Sequence, residues 1–145
     1  MSIDKKKIVI SACIFGFPFK YDGKSCKREE ILKKLKKEYL LIPLCPEILA
    51  GLSLKRNPCS RLNYNIVENE TGEDKTHFFK KGAERALKIV KENKVKKALL
   101  KEKSPSCGVN FVHYFIDKGK TEVKRGKGIF TEMLEKEGIE VQGIE

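Results

Sequence analysis

The sequence has no stretch of the roughly 18 or more continuous apolar residues that a membrane-spanning helix needs. The apolar run after the charged start, residues 8–19, is interrupted by Ser11, Gly16 and Pro18. A run broken in this way does not fit the apolar part of a signal peptide. We therefore expect a cytoplasmic protein that has no membrane partner.

Acidic residues are also scarce: 20 Asp and Glu stand against 31 Lys and Arg, which gives a formal net charge of +11. This excess favours an anionic partner, since lysine and arginine gain from phosphate contacts and counterion release. Many of the lysines fall in helix-like stretches, as in residues 33–37, where a solvated face is common. A nucleic-acid-binding module without catalytic activity and a simple solvated surface both fit the charge.

The chain shows no internal repeat, low-complexity tract or linker, and its 145 residues and 40% hydrophobic content predict a single domain over residues 1–145. Apolar patterns typical of strands and of helices alternate along it. The strands are predicted at residues 7–12, 39–44, 95–100 and 139–141, and the helices at residues 27–37, 76–93 and 128–136, with Thr76 as the N-cap of the second helix.

Two segments lie outside this alternation. Residues 57–72 are polar and are predicted to be mostly loop, and residues 111–116 form an extended segment followed by a turn. The alternation itself favours the α/β class, as a three-layer α/β/α sandwich around a mostly parallel, Rossmann-like sheet. In such folds, ligands bind beyond the carboxyl ends of the strands.

Five cysteines are present, an odd number in a chain expected in a reducing compartment, so a disulfide framework is not predicted. Cys13 ends the first predicted strand, Cys45 ends the second, and Cys107 lies shortly after the third. Because the carboxyl ends of parallel strands share one edge of the sheet, we expect these three cysteines at one rim.

Thiolates are soft ligands that favour zinc, copper(I) and iron–sulfur clusters. Three cysteines would leave one position open in a tetrahedral zinc site, or one iron without a protein ligand in a 4Fe–4S cluster. The chain has no C-x-x-C motif, so spacing alone leaves three interpretations open: a cluster, a zinc-dependent hydrolase, and buried cysteines that act as small hydrophobic residues.

Several short motifs follow one another along nearly the whole chain, from about residue 8 to residue 141. They are Ser11-Ala12-Cys13, Tyr21-Asp22-Gly23, Cys45-Pro46-Glu47 with Gly51-Leu52 and Arg56, Gly72-Glu73-Asp74-Lys75-Thr76, residues 100–108 with Ser104-Pro105-Ser106-Cys107-Gly108, and Gly126-Lys127-Gly128. In these motifs and their order, the chain resembles a bacterial and archaeal family long described as a domain of unknown function, which includes the thiouracil desulfurases.

The resemblance implies a 4Fe–4S cluster held by Cys13, Cys45 and Cys107 and used without redox turnover. In similar enzymes the open iron takes the sulfur of a thiocarbonyl such as 4-thiouracil, and water then replaces it to give uracil and sulfide. Glu47 and Ser104 would be the proton-handling catalytic pair. The substrate would be a small thiolated pyrimidine base or nucleoside, or a thiolated tRNA. The sequence indicates no oligomeric state.

The chemistry of the two catalytic candidates agrees with these roles and leaves alternatives. Glu47 lies two residues from Cys45, close enough to act as a base in the same pocket, or it begins a helix whose dipole favours a carboxylate. Ser104 precedes Pro105 and is therefore biased to an extended conformation. It would polarise the leaving group or cap the following turn.

Four further residues are predicted to contact the substrate. Arg56 and Lys101 would suit an anionic substrate or the negative cluster, or would be ordinary exposed cations. Gly126 and Gly128 would let backbone approach a ligand before a helix N-terminus, or would form a plain turn. No ligand role is predicted for His77 or His113.

The chain departs from the family pattern in ways that concern the substrate more than the cluster. Lys20 stands where relatives usually carry arginine, Lys55 replaces a proline before Arg56, and the acidic residue expected around residues 59–61 is missing. Cys26 and Cys59 lie outside the pattern. Cys59 would be an extra ligand or sulfur acceptor, or a free structural thiol.

Overall fold

The computed structural model of the protein describes residues 6–18, 20–53 and 55–145. The strands within these ranges are β1 (Lys6–Ser11), β2 (Tyr39–Leu44), β3 (Cys59–Leu62), β4 (Asn65–Glu68), β5 (Lys97–Lys101), β6 (Phe111–Asp117), β7 (Lys120–Arg125) and β8 (Glu140–Ile144). The helices are α1 (Ala12–Phe15), α2 (Glu29–Glu38), α3 (Pro46–Leu49), α4 (Thr76–Glu92) and α5 (Ile129–Lys136).

The central sheet is parallel and has the strand order β2-β1-β5-β8. Its inner strand β1 contains the apolar run Ile8, Val9 and Ile10, and all three residues are fully buried. Such a run, rather than an apolar and polar alternation, is typical of a strand covered on both faces. The strand predicted at residues 39–44 is confirmed at both ends as β2.

Different helices cover the two faces of this sheet. On one face Val90 of α4 and Phe130 of α5 belong to the same buried cluster as Val9, and on the other Leu32 of α2 packs with Ile8. The predicted three-layer α/β/α arrangement around a mostly parallel sheet is therefore confirmed. Among the described residues, no helix has both the length and the apolar composition needed to cross a membrane.

A second sheet, in the order β4-β3-β6-β7, stands beside the first. The prediction that residues 57–72 are mostly loop is wrong, because β3 and β4 form an antiparallel hairpin there, with Ser60 opposite Val67. Each of these strands has four residues, and backbone pairing across the hairpin substitutes for a clear apolar period. The extended segment and turn predicted from residue 111 are the β6–β7 hairpin.

Thr76 is the first residue of α4 and not its N-cap, so that prediction is wrong. The N-cap is Lys75, whose side chain makes no capping hydrogen bond. Thr76 Oγ1 instead accepts the backbone N–H of Ile66 at 2.9 Å, and Asp74 Oδ1 accepts the Thr76 N–H at 2.8 Å. The threonine hydroxyl therefore ties the start of α4 to the second sheet.

Candidate active site

A cavity of about 450 Å³ lies at the carboxyl ends of β1, β2 and β5, between the central sheet and the second sheet. Cys13, Cys45 and Cys107 all line it, and we call these three residues the cysteine wall. Each follows one of the three strands, so the parallel topology brings together residues that are far apart in sequence. Other predicted site residues that line the cavity are Glu47, Ser104, Arg56 and Lys101.

Cys13 lies at the start of α1, directly after β1, and contacts Cys26. Its backbone carbonyl accepts the Cys26 N–H at 3.0 Å. Its thiol donates to the Cys26 sulfur, and this bond, followed by burial, raises the pKa of Cys13. The same bond lowers the pKa of Cys26 to about 7, against the opposing effect of burial, and the charges of Lys101 and Lys20 add to the lowering. Cys26 is therefore the more acidic thiol of this pair.

Cys45 precedes Pro46, which occupies the first turn of α3. Burial and then the carboxylate of Glu47 raise the pKa of Cys45, while the backbone N–H groups of Ile48 and Glu47 favour its thiolate. Burial also raises the pKa of Cys107, with Cys45 adding to the effect. At neutral pH the cysteine wall therefore carries thiols, and a metal group that binds it must displace their protons.

The loop that carries Cys107 is held by an extended set of hydrogen bonds. Ser104 Oγ accepts the backbone N–H groups of Ser106 at 3.0 Å and Cys107 at 3.2 Å, so this serine caps the turn. Thr131 Oγ1 donates to the Cys107 carbonyl at 3.0 Å. The hydroxyls of Ser11 and Ser104 also hydrogen-bond to the Cys107 sulfur and favour its thiolate.

Glu102 fastens the far end of the same loop. Its carboxylate accepts the backbone N–H of Val109 at 2.8 Å and both the backbone and the side-chain N–H of Asn110, at 2.9 and 2.7 Å. These bonds outweigh the opposing effect of burial and lower the pKa of Glu102. With its lone pairs occupied in this way, Glu102 is a structural carboxylate although it lines the cavity.

Glu47 forms an ion pair with Arg56, in which Oε1 lies 2.9 Å from Nε. The two side chains are 16% and 9% exposed, and such a buried charge needs its partner. The second carboxylate oxygen lies 3.4 Å from Ser106 Oγ, which donates to it. Glu47 is therefore oriented from both sides at the edge of the cysteine wall.

Positive charge predominates in the cavity lining. The cations are Lys20, Arg56, Lys101 and Lys103, and the carboxylates are Glu47 and Glu102. Lys101 ends β5, and its backbone N–H donates to Ser11 Oγ at 2.9 Å, which joins β5 to β1 beside the cysteines. An excess of cations around the three cysteines favours their ionised thiolate form and an anionic group bound to them.

A single zinc ion and an iron–sulfur cluster require different arrangements of the three cysteines. Within the described residues, no three His, Cys, Asp or Glu side chains converge on a point that could hold one metal ion. Zinc requires all its thiolates at about 2.3 Å from that one point. The cysteines of a cluster bind separate irons, so soft donors spread around a shared cavity are the arrangement that a cluster can use.

Gly126 and Gly128 are not among the residues that line the cavity. A Cβ on Gly128 would lie 2.3 Å from the Ser106 carbonyl, and one on Gly126 would lie 2.0 Å from Tyr114 Oη. Both glycines thus allow close packing, and Gly128 packs behind the loop that carries Cys107. Their predicted part in substrate binding stays a prediction.

Part of the cavity lining was not anticipated from the sequence. It belongs to the second sheet and the turns around it, and consists of Ser60, Asn69, His113 and Thr121, which we call the polar wall. His113 Nδ1 lies 3.4 Å from Thr121 Oγ1, and burial, aided by nearby lysines, lowers the pKa of His113. The sequence signals that pointed to this region were the missing acidic residue around residues 59–61 and the alternative role of Cys59 as an extra ligand or sulfur acceptor.

Cys59 also lines the cavity, beside the polar wall. Burial, followed by the charges of Glu47 and Glu68, raises the pKa of Cys59 to about 12. Its thiol lies 3.7 Å from the carbonyl of Asn57, to which it donates. Since the thiolate is the reactive form of cysteine, this environment fits a structural thiol better than a sulfur acceptor.

Comparisons with known proteins agree on one family. The model of the 2-thiouracil desulfurase family matches residues 8–145. The uncharacterized protein YbbK of Bacillus subtilis (strain 168) is 31% identical over 143 residues, which cover 92% of this chain and 93% of that protein. A solved structure described as the [4Fe-4S]-dependent thiouracil desulfidase TudS is 35% identical, with a TM-score of 0.81 over 96% of this chain and 91% of the other.

Proposed function

Since the chain belongs to the 2-thiouracil desulfurase family, we propose that it is an iron–sulfur-dependent enzyme that removes sulfur from a thiolated pyrimidine. Family membership confirms the resemblance seen in the motifs. The reaction exchanges C=S and water for C=O and hydrogen sulfide, so it balances without electron transfer. The observation that carries the proposal is the placement of Cys13, Cys45 and Cys107 around one cavity at the ends of three neighbouring strands.

In this proposal the cysteine wall holds a 4Fe–4S cluster. Such a cluster, when bound, supplies one iron without a protein ligand, a Lewis acid that attracts the soft sulfur of a thiocarbonyl. The similar solved structure is described as [4Fe-4S]-dependent, which favours the cluster over the zinc alternative. The cationic lining contributed by Lys20, Lys101 and Lys103 would balance the negative charge of bound thiolates.

Glu47 is the proposed general base. Its carboxylate would take a proton from the attacking water as the new C–O bond forms, and would return that proton to the departing sulfide. Arg56 and Ser106 fix the carboxylate at 2.9 and 3.4 Å. Arg56 is therefore a positioning residue in this account, and its predicted contact with an anionic substrate is secondary to its pairing with Glu47.

Ser104 is proposed to polarise the leaving sulfur by donating a hydrogen bond to it, while Glu47 carries the proton. Its Oγ already accepts two backbone N–H bonds, so its own hydroxyl hydrogen is what it can offer. In the absence of a bound group that hydrogen is shared with the sulfur of Cys107. Ser104 and Cys107 both line the cavity, so this hydroxyl would be a donor beside a cluster held by Cys107.

The substrate class is a thiolated pyrimidine base, nucleoside or tRNA. The net charge of +11 supports an RNA-linked substrate, because lysine and arginine on a basic surface bind phosphates and release counterions. The cavity lining near the reaction site is otherwise suited to an uncharged heterocycle, since it combines apolar surface with a few polar groups. The alternative, an RNA-binding module without catalysis, predicts binding that does not depend on the cysteines.

The test is turnover by protein loaded with iron and sulfide without oxygen. The proposal expects 4-thiouracil to yield uracil and sulfide in equal amounts, and expects Cys45→Ser to abolish both products. Cys26→Ser is the matched control, because Cys26 contacts Cys13 but is not among the residues that line the cavity. The proposal would be contradicted if loaded protein released neither product. It would also be contradicted if the sole activity found were salt-sensitive RNA binding that persists when all three cysteines of the cysteine wall are replaced.

A further inference from the structure

Two buried polar atoms of the polar wall lack a hydrogen-bond partner among the residues that the structure describes. Ser60 is fully buried, and within the described residues neither Ser60 Oγ nor Asn69 Oδ1 has a hydrogen-bond partner. Both residues line the cavity. A buried polar group without a partner costs stability, and native proteins satisfy nearly all such groups with protein, water or ligand. Two at one cavity surface indicate that a bound molecule supplies the missing partners.

The hairpin places these two side chains next to each other. Ser60 of β3 lies directly opposite Val67 of β4, and Asn69 follows Val67 by two residues. The Asn69 N–H donates to the Pro58 carbonyl at 3.0 Å, so the pairing continues past the end of β4. Ser60 and Asn69 are therefore diagonal neighbours on one face of the hairpin, with about 7 Å or less between their Cβ atoms.

Asn69 is also held firmly in place. Its carbonyl accepts the Gly119 N–H at 2.7 Å, in addition to the bond from its own N–H to Pro58. Both backbone groups of Asn69 are thus used, and the side chain is the part left for a ligand. His113 and Thr121, which also line the cavity, lie 3.4 Å apart and pair with each other.

We propose that Asn69 and Ser60 bind the N3–H and the adjacent carbonyl of the thiolated pyrimidine, an inference that rests on the proposed function. A thiouracil carries the sequence of groups S=C–N–H–C=O along one edge. Asn69 Oδ1 accepts from the N–H, and Ser60 Oγ donates to the carbonyl beyond it. The pair is uncharged and matches an uncharged base, and N3–H is free in bases, nucleosides and RNA alike. These two residues are therefore specificity-determining, and the sulfur at the other end of the edge faces the cysteine wall.

The test uses uracil, which keeps the N–H and carbonyl but has no sulfur, as the binding probe for cluster-loaded protein. Calorimetry compares uracil with 1-methyluracil and 3-methyluracil. A methyl group on N3 removes the hydrogen bond and leaves the buried acceptor without a partner. We therefore expect the 3-methyl compound to bind about tenfold or more weakly, and the 1-methyl compound to bind with little change. Equal affinity for the two methylated compounds, or no binding of uracil, would overturn the inference without the use of any variant.

Variants then assign the contacts. Asn69→Leu is expected to weaken uracil binding about tenfold and to remove the preference against 3-methyluracil. The control is Asn65→Leu, the same change on β4 at a position outside the cavity lining. It should keep the native uracil affinity and the preference against 3-methyluracil. Ser60→Ala should weaken binding about fivefold while the melting temperature stays level or rises, since the hydroxyl has no partner among the described residues. A lower melting temperature with unchanged uracil affinity would mean that Ser60 is merely structural. It would overturn the proposed contact between Ser60 and the carbonyl of the pyrimidine.

Turnover of 4-thiouracil by the same preparations separates the two proposals. If Asn69→Leu protein turns over 4-thiouracil as fast as native protein, and N3 methylation of 4-thiouracil does not slow the reaction, this inference is overturned. The desulfurase proposal then still stands. The opposite result is that loaded protein binds uracil in a way that depends on Asn69 but releases no sulfide from 4-thiouracil. This result would support the binding site and overturn the desulfurase proposal.

Discussion

The cysteine wall and the polar wall line the same cavity and are built in opposite ways. The cysteine wall stands at the carboxyl ends of parallel strands of the central sheet, and the groups around it are hydrogen-bonded: Ser104, Glu102 and Thr131 all hold the loop of Cys107. The polar wall lies on two antiparallel hairpins of the second sheet, and within the described residues its Ser60 Oγ and Asn69 Oδ1 have no hydrogen-bond partner. The difference indicates that one wall is organised for a resident group, and the other for a molecule that enters and leaves.

Loss of one cysteine of the cysteine wall should have the largest effect. We expect Cys45→Ser to lose bound iron and desulfurase activity down to background, because serine is a hard oxygen ligand that a cluster does not prefer. Iron analysis and sulfide release measure this. Cys59→Ser, in the same cavity but beside the polar wall, is the matched change and should keep its iron. Equal iron loss in both variants would contradict the distinction between the walls.

Replacement of the proposed base should come next. Glu47→Gln keeps the size of the side chain but cannot take a proton, so kcat should fall by about 10²–10⁴. Iron content and uracil affinity should stay close to native, since Glu47 belongs to neither set of contacts. A steady-state comparison with native protein measures the effect. A kcat within about twofold of native would remove Glu47 from the chemistry.

Stability should separate the walls directly. Glu102→Ala leaves several N–H groups of the cysteine loop without an acceptor, so the free energy of unfolding should fall by about 2–3 kcal/mol. Ser60→Ala, also at a buried cavity position, should change it by less than about 0.5 kcal/mol. Urea unfolding of the cluster-free proteins measures both. A larger loss for Ser60→Ala than for Glu102→Ala would reverse the comparison.

A smaller, pH-dependent effect concerns Cys26. In cluster-free protein its pKa of about 7 means that its thiolate fraction, and hence its alkylation rate, rises as pH increases through neutrality. The pKa values of Cys45 and Cys107 are raised by burial, so these thiols should react only at higher pH. Mass spectrometry of iodoacetamide-treated protein at several pH values identifies the order. Reaction of Cys107 before Cys26 would contradict it.

The contrast between the walls also separates what could be predicted from the sequence from what could not. The strand over residues 39–44 and the position of Cys45 were predictable because this parallel strand is a plain apolar run, and its end is marked by Cys45-Pro46. The polar wall was not predictable, because β3 and β4 are short and are held by backbone hydrogen bonds rather than by an apolar period. Asn69 and His113 carry no local motif, and tertiary contact alone brings them to the cavity.

The most direct test of the account is the metal content and optical spectrum of protein purified and loaded without oxygen, measured for native protein, Cys45→Ser and Cys26→Ser. The account predicts iron and acid-labile sulfide in equal amounts, with the visible absorbance of a 4Fe–4S cluster, in native protein and Cys26→Ser, and neither in Cys45→Ser. Zinc in place of iron, or iron and sulfide retained by Cys45→Ser, would contradict the claim that Cys13, Cys45 and Cys107 hold the cluster.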